Sequence, residues 1–141
     1  MIKIIIDNQT EQSFDQQLFQ QVLTAMQPEN ISHAAEVNLL LTADNTIAEL
    51  NKRYRGKAGK TDVLSFSSQI PGLPFLGDII IDISVAENQK GNHSLAKEVQ
   101  LLFLHGMLHL LGYDHISVAQ KKSMQQKEKL YQNNLDKIIG E

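Results

Sequence analysis

His105 and His109 stand four residues apart inside an apolar run, Phe103 to His115, that reads FLHGMLHLLGYDH. On a helix of about 3.6 residues per turn they project in nearly the same direction, one turn apart. Two imidazoles so placed can grip one metal ion. Gly112 follows three residues later, where glycine can end a helix at positive φ without a Cβ penalty. The sharp turn this permits can bring His115 back from a loop as a third ligand. Three histidine nitrogens with the fourth position open are the donor arrangement of a catalytic zinc ion.

The segment also invites comparison with the zinc protease signature HExxHxxGxxH. The three histidines and the glycine match, but Gly106 occupies the position of the glutamate. That glutamate is the general base of such peptidases, and glycine cannot take a proton. The sequence therefore offers metal geometry without proteolytic machinery, and other residues must supply the chemistry.

A second chemical feature lies upstream. Between Asn51 and Lys60 stand Lys52, Arg53, Arg55, Lys57 and Lys60, five of the thirteen cationic side chains, with no acidic residue. Two glycines in this stretch argue for a loop, and a cationic loop suits phosphate or carboxylate; a solvated surface loop is the plainer alternative. Asp114 can orient a ligand histidine from behind or serve its own turn. Tyr54 and Tyr113 can stack on unpaired bases, although tyrosine beside a core helix more commonly packs. His33, with no partner at ligand spacing, reads as a surface or structural residue, and His93, which stands ahead of the helix stripe, as a capping or solvated one.

Composition narrows the possibilities. A chain of 141 residues suits one domain that buries most of its core without staples. Cysteine is absent, which excludes disulfides, thiolate ligands and a cysteine nucleophile and suits a cytoplasmic protein. The apolar start, MIKIIID, is too short for a secretory signal, and no apolar run approaches the length of a membrane span. A formal charge of −3 gives no general attraction to nucleic acid, so any such binding must be local.

The elements that must position these residues follow from periodicity. Ile2 to Ile6 reads as a buried strand. Ser13 and Gln16 offer a capping box to a helix whose stripe is Phe14, Leu18, Phe19, Val22, Leu23 and Met26, ending before Pro28. Val37 to Thr42 is a second strand, and Asp44 caps a helix through Tyr54. Val63 to Ser67 and Leu76 to Ile83 are further strands, the last with Ile79, Ile81 and Ile83 on one side and Asp78, Ile80 and Asp82 on the other. Pro71, Gly72 and Pro74 lie in the loop between them. Ser84 caps a short helix through Gln89, and Asn92 or Ser94 starts the next, Leu95 to Leu111, which is apolar on nearly every side and so buried. Burial there disfavours imidazolium but tolerates neutral imidazole on a metal. Val118 to Ile139 completes the chain as a charged helix with Met124, Tyr131, Leu135 and Ile138 on one face. The expected fold is α+β, a single domain with a small mixed sheet of about four strands packed with helices.

With these residues in view, the chain resembles the YbeY family of endoribonucleases and rRNA maturation factors. The likeness takes in Asn51, Tyr54 and Arg55, TDVLSF from Thr61 to Phe66, LGDI from Leu76 to Ile79, HGMLHLLGYDH from His105 to His115, and Met124 with Glu128. Lys60 and Ser67 depart from it, standing where relatives commonly carry prolines. The resemblance implies a zinc-dependent, single-strand-specific endoribonuclease domain spanning residues 1–141, acting in 16S rRNA 3′ end maturation and ribosome quality control. It implies one Zn2+ held by His105, His109 and His115 in a zincin-like HxxxHxxxxxH site, with Arg55 near the reacting phosphate. RNA, rRNA and ribosomal subunits would be the partners, with no membrane involved.

The residues support such chemistry in outline. Zinc on three neutral histidines can polarise a phosphoryl oxygen and acidify bound water. Arg55 could clamp a non-bridging oxygen, with Lys52, Arg53, Lys57 and Lys60 on flanking phosphates. No general base stands out. Two other readings compete: a ribosome-assembly factor in which zinc is structural, and a metallopeptidase, against which Gly106 argues.

Overall fold

The structure, a computed structural model, describes residues 2–43, 63–68, 74–113 and 117–140. Among these the order is β1 (Lys3–Asn8), α1 (Gln16–Ala25), a 3-10 turn (Gln27–Glu29), β2 (Glu36–Thr42), β3 (Val63–Ser67), β4 (Phe75–Asp82), α2 (Ile83–Gln89), α3 (Leu95–Leu110) and α4 (Val118–Ile139). The four strands form one mixed sheet in the order β1-β2-β4-β3. β1, β2 and β4 run parallel, and β3 pairs antiparallel to β4 at the edge. This is the expected α+β architecture. The helix foreseen after Asp44 and the loop through Pro71 and Gly72 lie outside the described residues.

Alternation along the strands decides what each face of the sheet meets. Ile4, Val37, Leu39, Leu41, Ile79 and Ile81 join one core with Phe19, Val22, Leu23 and Met26 from the α1 region and Val99, Phe103, Leu104, Met107 and Leu108 from α3. Phe19 meets Phe103 edge-on, with ring centroids 5.2 Å apart, an arrangement that adds to the area buried. On the opposite face Ile80 gathers, among the described residues, Leu40 and Phe66, and Asn38 donates to Asp78 at 3.0 Å. A shallow cavity of about 600 Å3 lies over that face.

Several local expectations are corrected. Among the described strands β1 pairs on one side alone, with β2, and only its Ile4 is buried; a β-branched run looks the same at an edge and in the middle. α1 is capped by Asp15, whose carboxylate accepts from Gln17 N, not by a box between Ser13 and Gln16. Asp82, not Ser84, caps α2 and accepts from Ser84 N and Val85 N, so β4 passes directly into a helix that starts two residues earlier than expected. In both cases a carboxylate outcompetes a nearby hydroxyl for the unpaired N–H groups of a first turn. On α4 the buried seam follows the row Tyr131, Leu135, Ile139 at intervals of four, and Ile138 is left exposed. A true capping box, Ser117 with Gln120, starts α4.

Two glycines are required where they stand. Gly77 has φ +143°, and a Cβ there would sit 2.2 Å from the carbonyl oxygen of Phe66 and 2.9 Å from Leu110. Only a bare backbone lets β3 and the end of α3 come so close to β4. Gly112, at φ +102°, closes α3 as the sequence foretold: Gly112 N–H donates to His109 O and Tyr113 N–H to Leu108 O, both at 3.0 Å. That pair of bonds is the Schellman motif. Among the described residues no helix is long and apolar enough to cross a membrane.

Candidate metal centre

α3 is buried on most sides but not all. Val99, Gln100, Leu102, Phe103, Leu104, Gly106, Met107 and Leu108 are buried, whereas the row Lys97, Leu101, His105, His109 is only half-buried. The row faces α4, which runs antiparallel: Lys97 pairs with Asp136, and His105 with Glu128. The histidine end of the helix is therefore more open than an all-round apolar pattern implies. His105 keeps 35% of its side-chain surface exposed, which a site that must admit a substrate requires.

The first of the two rings is oriented by a carboxylate on α4. His105 Nδ1 lies 2.8 Å from Glu128 Oε1. A carboxylate accepts, so in the neutral ring Nδ1 carries the proton and Nε2 keeps its lone pair. That Nε2 stands 3.2 Å from Nε2 of His109. Two ligands at zinc–nitrogen distances of about 2.0–2.1 Å around a tetrahedral ion are separated by roughly 3.3 Å. The bite of the pair thus fits such an ion, and a carboxylate behind a ligand imidazole is the usual support that fixes tautomer and raises basicity.

Gly106 acquires a structural reason. A Cβ there would stand 3.0 to 3.2 Å from three side-chain atoms of Ile79, so the helix lies directly on β4. A glutamate at this position would have to enter the core, which is why the protease signature cannot be completed here.

Other predicted residues fall elsewhere. His115 and Asp114, and the cationic segment with Lys52, Arg53, Arg55, Lys57 and Lys60, lie outside the described residues. Among the described residues no group of three or more His, Cys, Asp or Glu side chains is placed to hold a metal ion; the structure brings together the first two histidines of the motif. His33 is exposed. His93 is solvent-exposed, one of its two expected readings, and there its Nε2 lies 2.6 Å from Glu98 Oε1; the cap of α3 is Ser94. Spacing alone does not give Glu128 its role, because it sits 23 residues from His105 on another helix. Its only signal in the sequence is its place in the resemblance quoted above.

A second carboxylate is held between the end of α3 and α4. Glu29 accepts from Tyr113 Oη at 3.1 Å and from Tyr131 Oη, with Lys127 Nζ 3.7 Å away. Burial, followed by the hydrogen bond and the negative charge of Glu29, raises the pKa of both tyrosines above the usual value of 10.0.

Comparison with known proteins decides the family. The family model described as Endoribonuclease YbeY matches residues 4–136. The chain belongs to that family. It is 43% identical over 115 residues to a protein named Endoribonuclease YbeY of Nautilia profundicola, covering 79% of this chain and 78% of that one. A YbeY endoribonuclease of Helicobacter pylori is 43% identical over 126 residues, covering 87% and 84%. The solution structure of a Thermotoga maritima protein superimposes with a TM-score of 0.62 at 26% identity, over 96% of this chain and 89% of its own. Within the YbeY family match fall His105, His109, Glu128, Glu29 and the two tyrosines.

Proposed function

We propose that this protein is a zinc-dependent endoribonuclease, specific for single-stranded RNA, that acts in 16S rRNA 3′ end maturation and ribosome quality control in the cytoplasm. The chain works as one domain over residues 1–141, with RNA and ribosomal subunits as partners. One observation carries the reading: Nε2 of His105 and Nε2 of His109 are 3.2 Å apart while Glu128 occupies Nδ1 of His105. Membership of an endoribonuclease family supports the reaction class, and the histidine pair supports the metal.

In this reading His105, His109 and His115 hold one Zn2+ in a zincin-like arrangement. Zinc so bound supplies positive charge that polarises a phosphoryl oxygen and lowers the pKa of water. The protein's own groups do the rest. Glu128 fixes the tautomer and direction of His105 through the Nδ1 proton, so the ligand lone pair needs no reorganisation. Arg55 clamps a non-bridging phosphate oxygen and stabilises charge that grows in the transition state, while Lys52, Arg53, Lys57 and Lys60 hold flanking phosphates. Asp114 orients a ligand histidine from behind. Ile79 against Gly106 keeps the helix seated on β4 and leaves no room for a protease-type base.

The test is metal replacement. Protein stripped by a chelator should lose RNA cleavage and regain it on addition of one equivalent of Zn2+, whereas His115→Ala should not regain it. Full cleavage by the stripped protein would refute the proposal. Zinc retained by four protein ligands, with no cleavage, would favour a structural ion in an assembly factor.

A further inference from the structure

α4 carries five of the thirteen cationic side chains, Lys121, Lys122, Lys127, Lys129 and Lys137, in a chain whose formal charge is −3. Its two carboxylates are turned to partners on α3: Glu128 takes His105, and Asp136 takes Lys97. Lys127 turns to Glu29. At about 100° per residue, Lys121, Lys122, Gln125 and Lys129 share one side of the helix, and all four are exposed. That side adjoins Glu128, which meets His105 at 2.8 Å. Three ammonium groups and an amide thus run about 12 Å along the helix axis beside the histidine pair.

Charge runs on helices are commonly no more than solvated faces. Such faces gain stability from carboxylates one turn away, and these lysines gain none. The positions three and four residues from Lys121, Lys122 and Lys129 hold only Ser, Val, Ala, Met, Gln and Asn. Lys121 and Lys122 also stand just past a first turn that has no acidic residue, near the end of the helix dipole that favours anions. Dipole and lysines therefore act in the same direction, against the helix and in favour of a bound anion. The side chains suit a phosphodiester, because cations neutralise phosphate charge while glutamine donates and accepts towards phosphate and sugar oxygens. An acidic protein surface would meet the same charge, but the neighbouring histidine pair favours RNA: a strand with its reacting phosphate at the histidines leads its flanking phosphates over the adjoining surface.

We propose that Lys121, Lys122, Gln125 and Lys129 form a docking face for the backbone phosphates of single-stranded RNA that flank the cleaved bond. This rests on the reading of the protein as an endoribonuclease. The test uses the full chain, stripped of metal so that the RNA survives, and the anisotropy of a fluorescein-labelled oligouridine between about 50 and 200 mM salt. Lys121→Gln, Lys122→Gln and Lys129→Gln combined should weaken binding about tenfold at the lower salt. They should also reduce the slope of log affinity against log salt by about two, since each phosphate contact on a single strand contributes about 0.7. All three lysines are exposed and glutamine keeps a helix, so the fold is not at stake. Lys3→Gln, Lys90→Gln and Lys137→Gln combined remove the same charge elsewhere and should leave the slope at its wild-type value. With zinc restored, the patch variant should cut the same RNA with a raised KM and an unchanged kcat, because the histidine pair is untouched. An unchanged slope in the patch variant, while wild type binds and cuts, would overturn the docking face and spare the nuclease. An equal fall in both triple variants would assign the effect to overall charge and overturn it too. Wild type that neither binds nor cuts RNA would remove the nuclease reading and the docking face together.

Discussion

α3 carries a histidine–carboxylate pair at each end, and the two do different things. At its start His93 offers Nε2 to Glu98, five residues along, at 2.6 Å, while the other oxygen of Glu98 accepts from Gln89. The pair closes a local turn, and both carboxylate oxygens are used. Towards its end His105 offers Nδ1 to Glu128, 23 residues away on α4. The choice of ring nitrogen is the whole difference: it turns the remaining nitrogen of His105 towards His109 and makes a two-nitrogen bite. Under the proposed function, a histidine–carboxylate contact is thus a staple or a ligand support according to which nitrogen it consumes and what the other one faces.

The comparison can be broken from either side. Glu128→Ala should lower zinc affinity by about 10- to 100-fold and reduce RNA cleavage with it, read by chelator competition and a labelled-RNA assay. Glu128→Gln, which still accepts a proton from Nδ1 but carries no charge, should lose less. At the other end, Glu98→Ala should leave zinc affinity within about twofold and cost about 1 kcal/mol of stability, seen as a shifted urea midpoint with unchanged slope. A zinc effect from Glu98→Ala as large as that from Glu128→Ala would erase the distinction.

A smaller effect concerns pH. Tyr113 and Tyr131 have pKa values above 10.0 in the folded protein, so above pH 10.0 the unfolded chain sheds those protons first. Stability contributed by the pair is complete below that pH and declines as pH rises towards the folded values. Tyr131→Phe should flatten the decline in urea midpoints between about pH 10 and pH 12; an unchanged slope would assign it to other groups.

How much of this was legible beforehand depends on whether a partner lies on the same element. The His105 and His109 pair, the stop at Gly112, the span Val63–Ser67 and the helix Val118–Ile139 all follow from local spacing, and the structure reproduces each. The edge position of β1 does not, because strand order is a property of the sheet. Nor do the caps at Asp15 and Asp82, where two acceptors compete within three residues and small differences in backbone direction choose between them. Glu128 and Glu29 meet their partners only after α4 has packed across α3 and the 3-10 turn, so no periodicity announces them. The half-open row on α3 was hidden for a similar reason: an apolar pattern on every side does not tell which side a neighbouring helix covers with polar groups.

The most direct test of the central claim is cleavage of a labelled single-stranded RNA by wild type and His109→Ala, purified identically, matched in folded content by circular dichroism and assayed for bound metal. The account predicts one zinc ion and cutting in wild type, with neither in the variant. Equal cutting by both proteins would contradict it, as would wild type that retains zinc yet leaves the RNA whole.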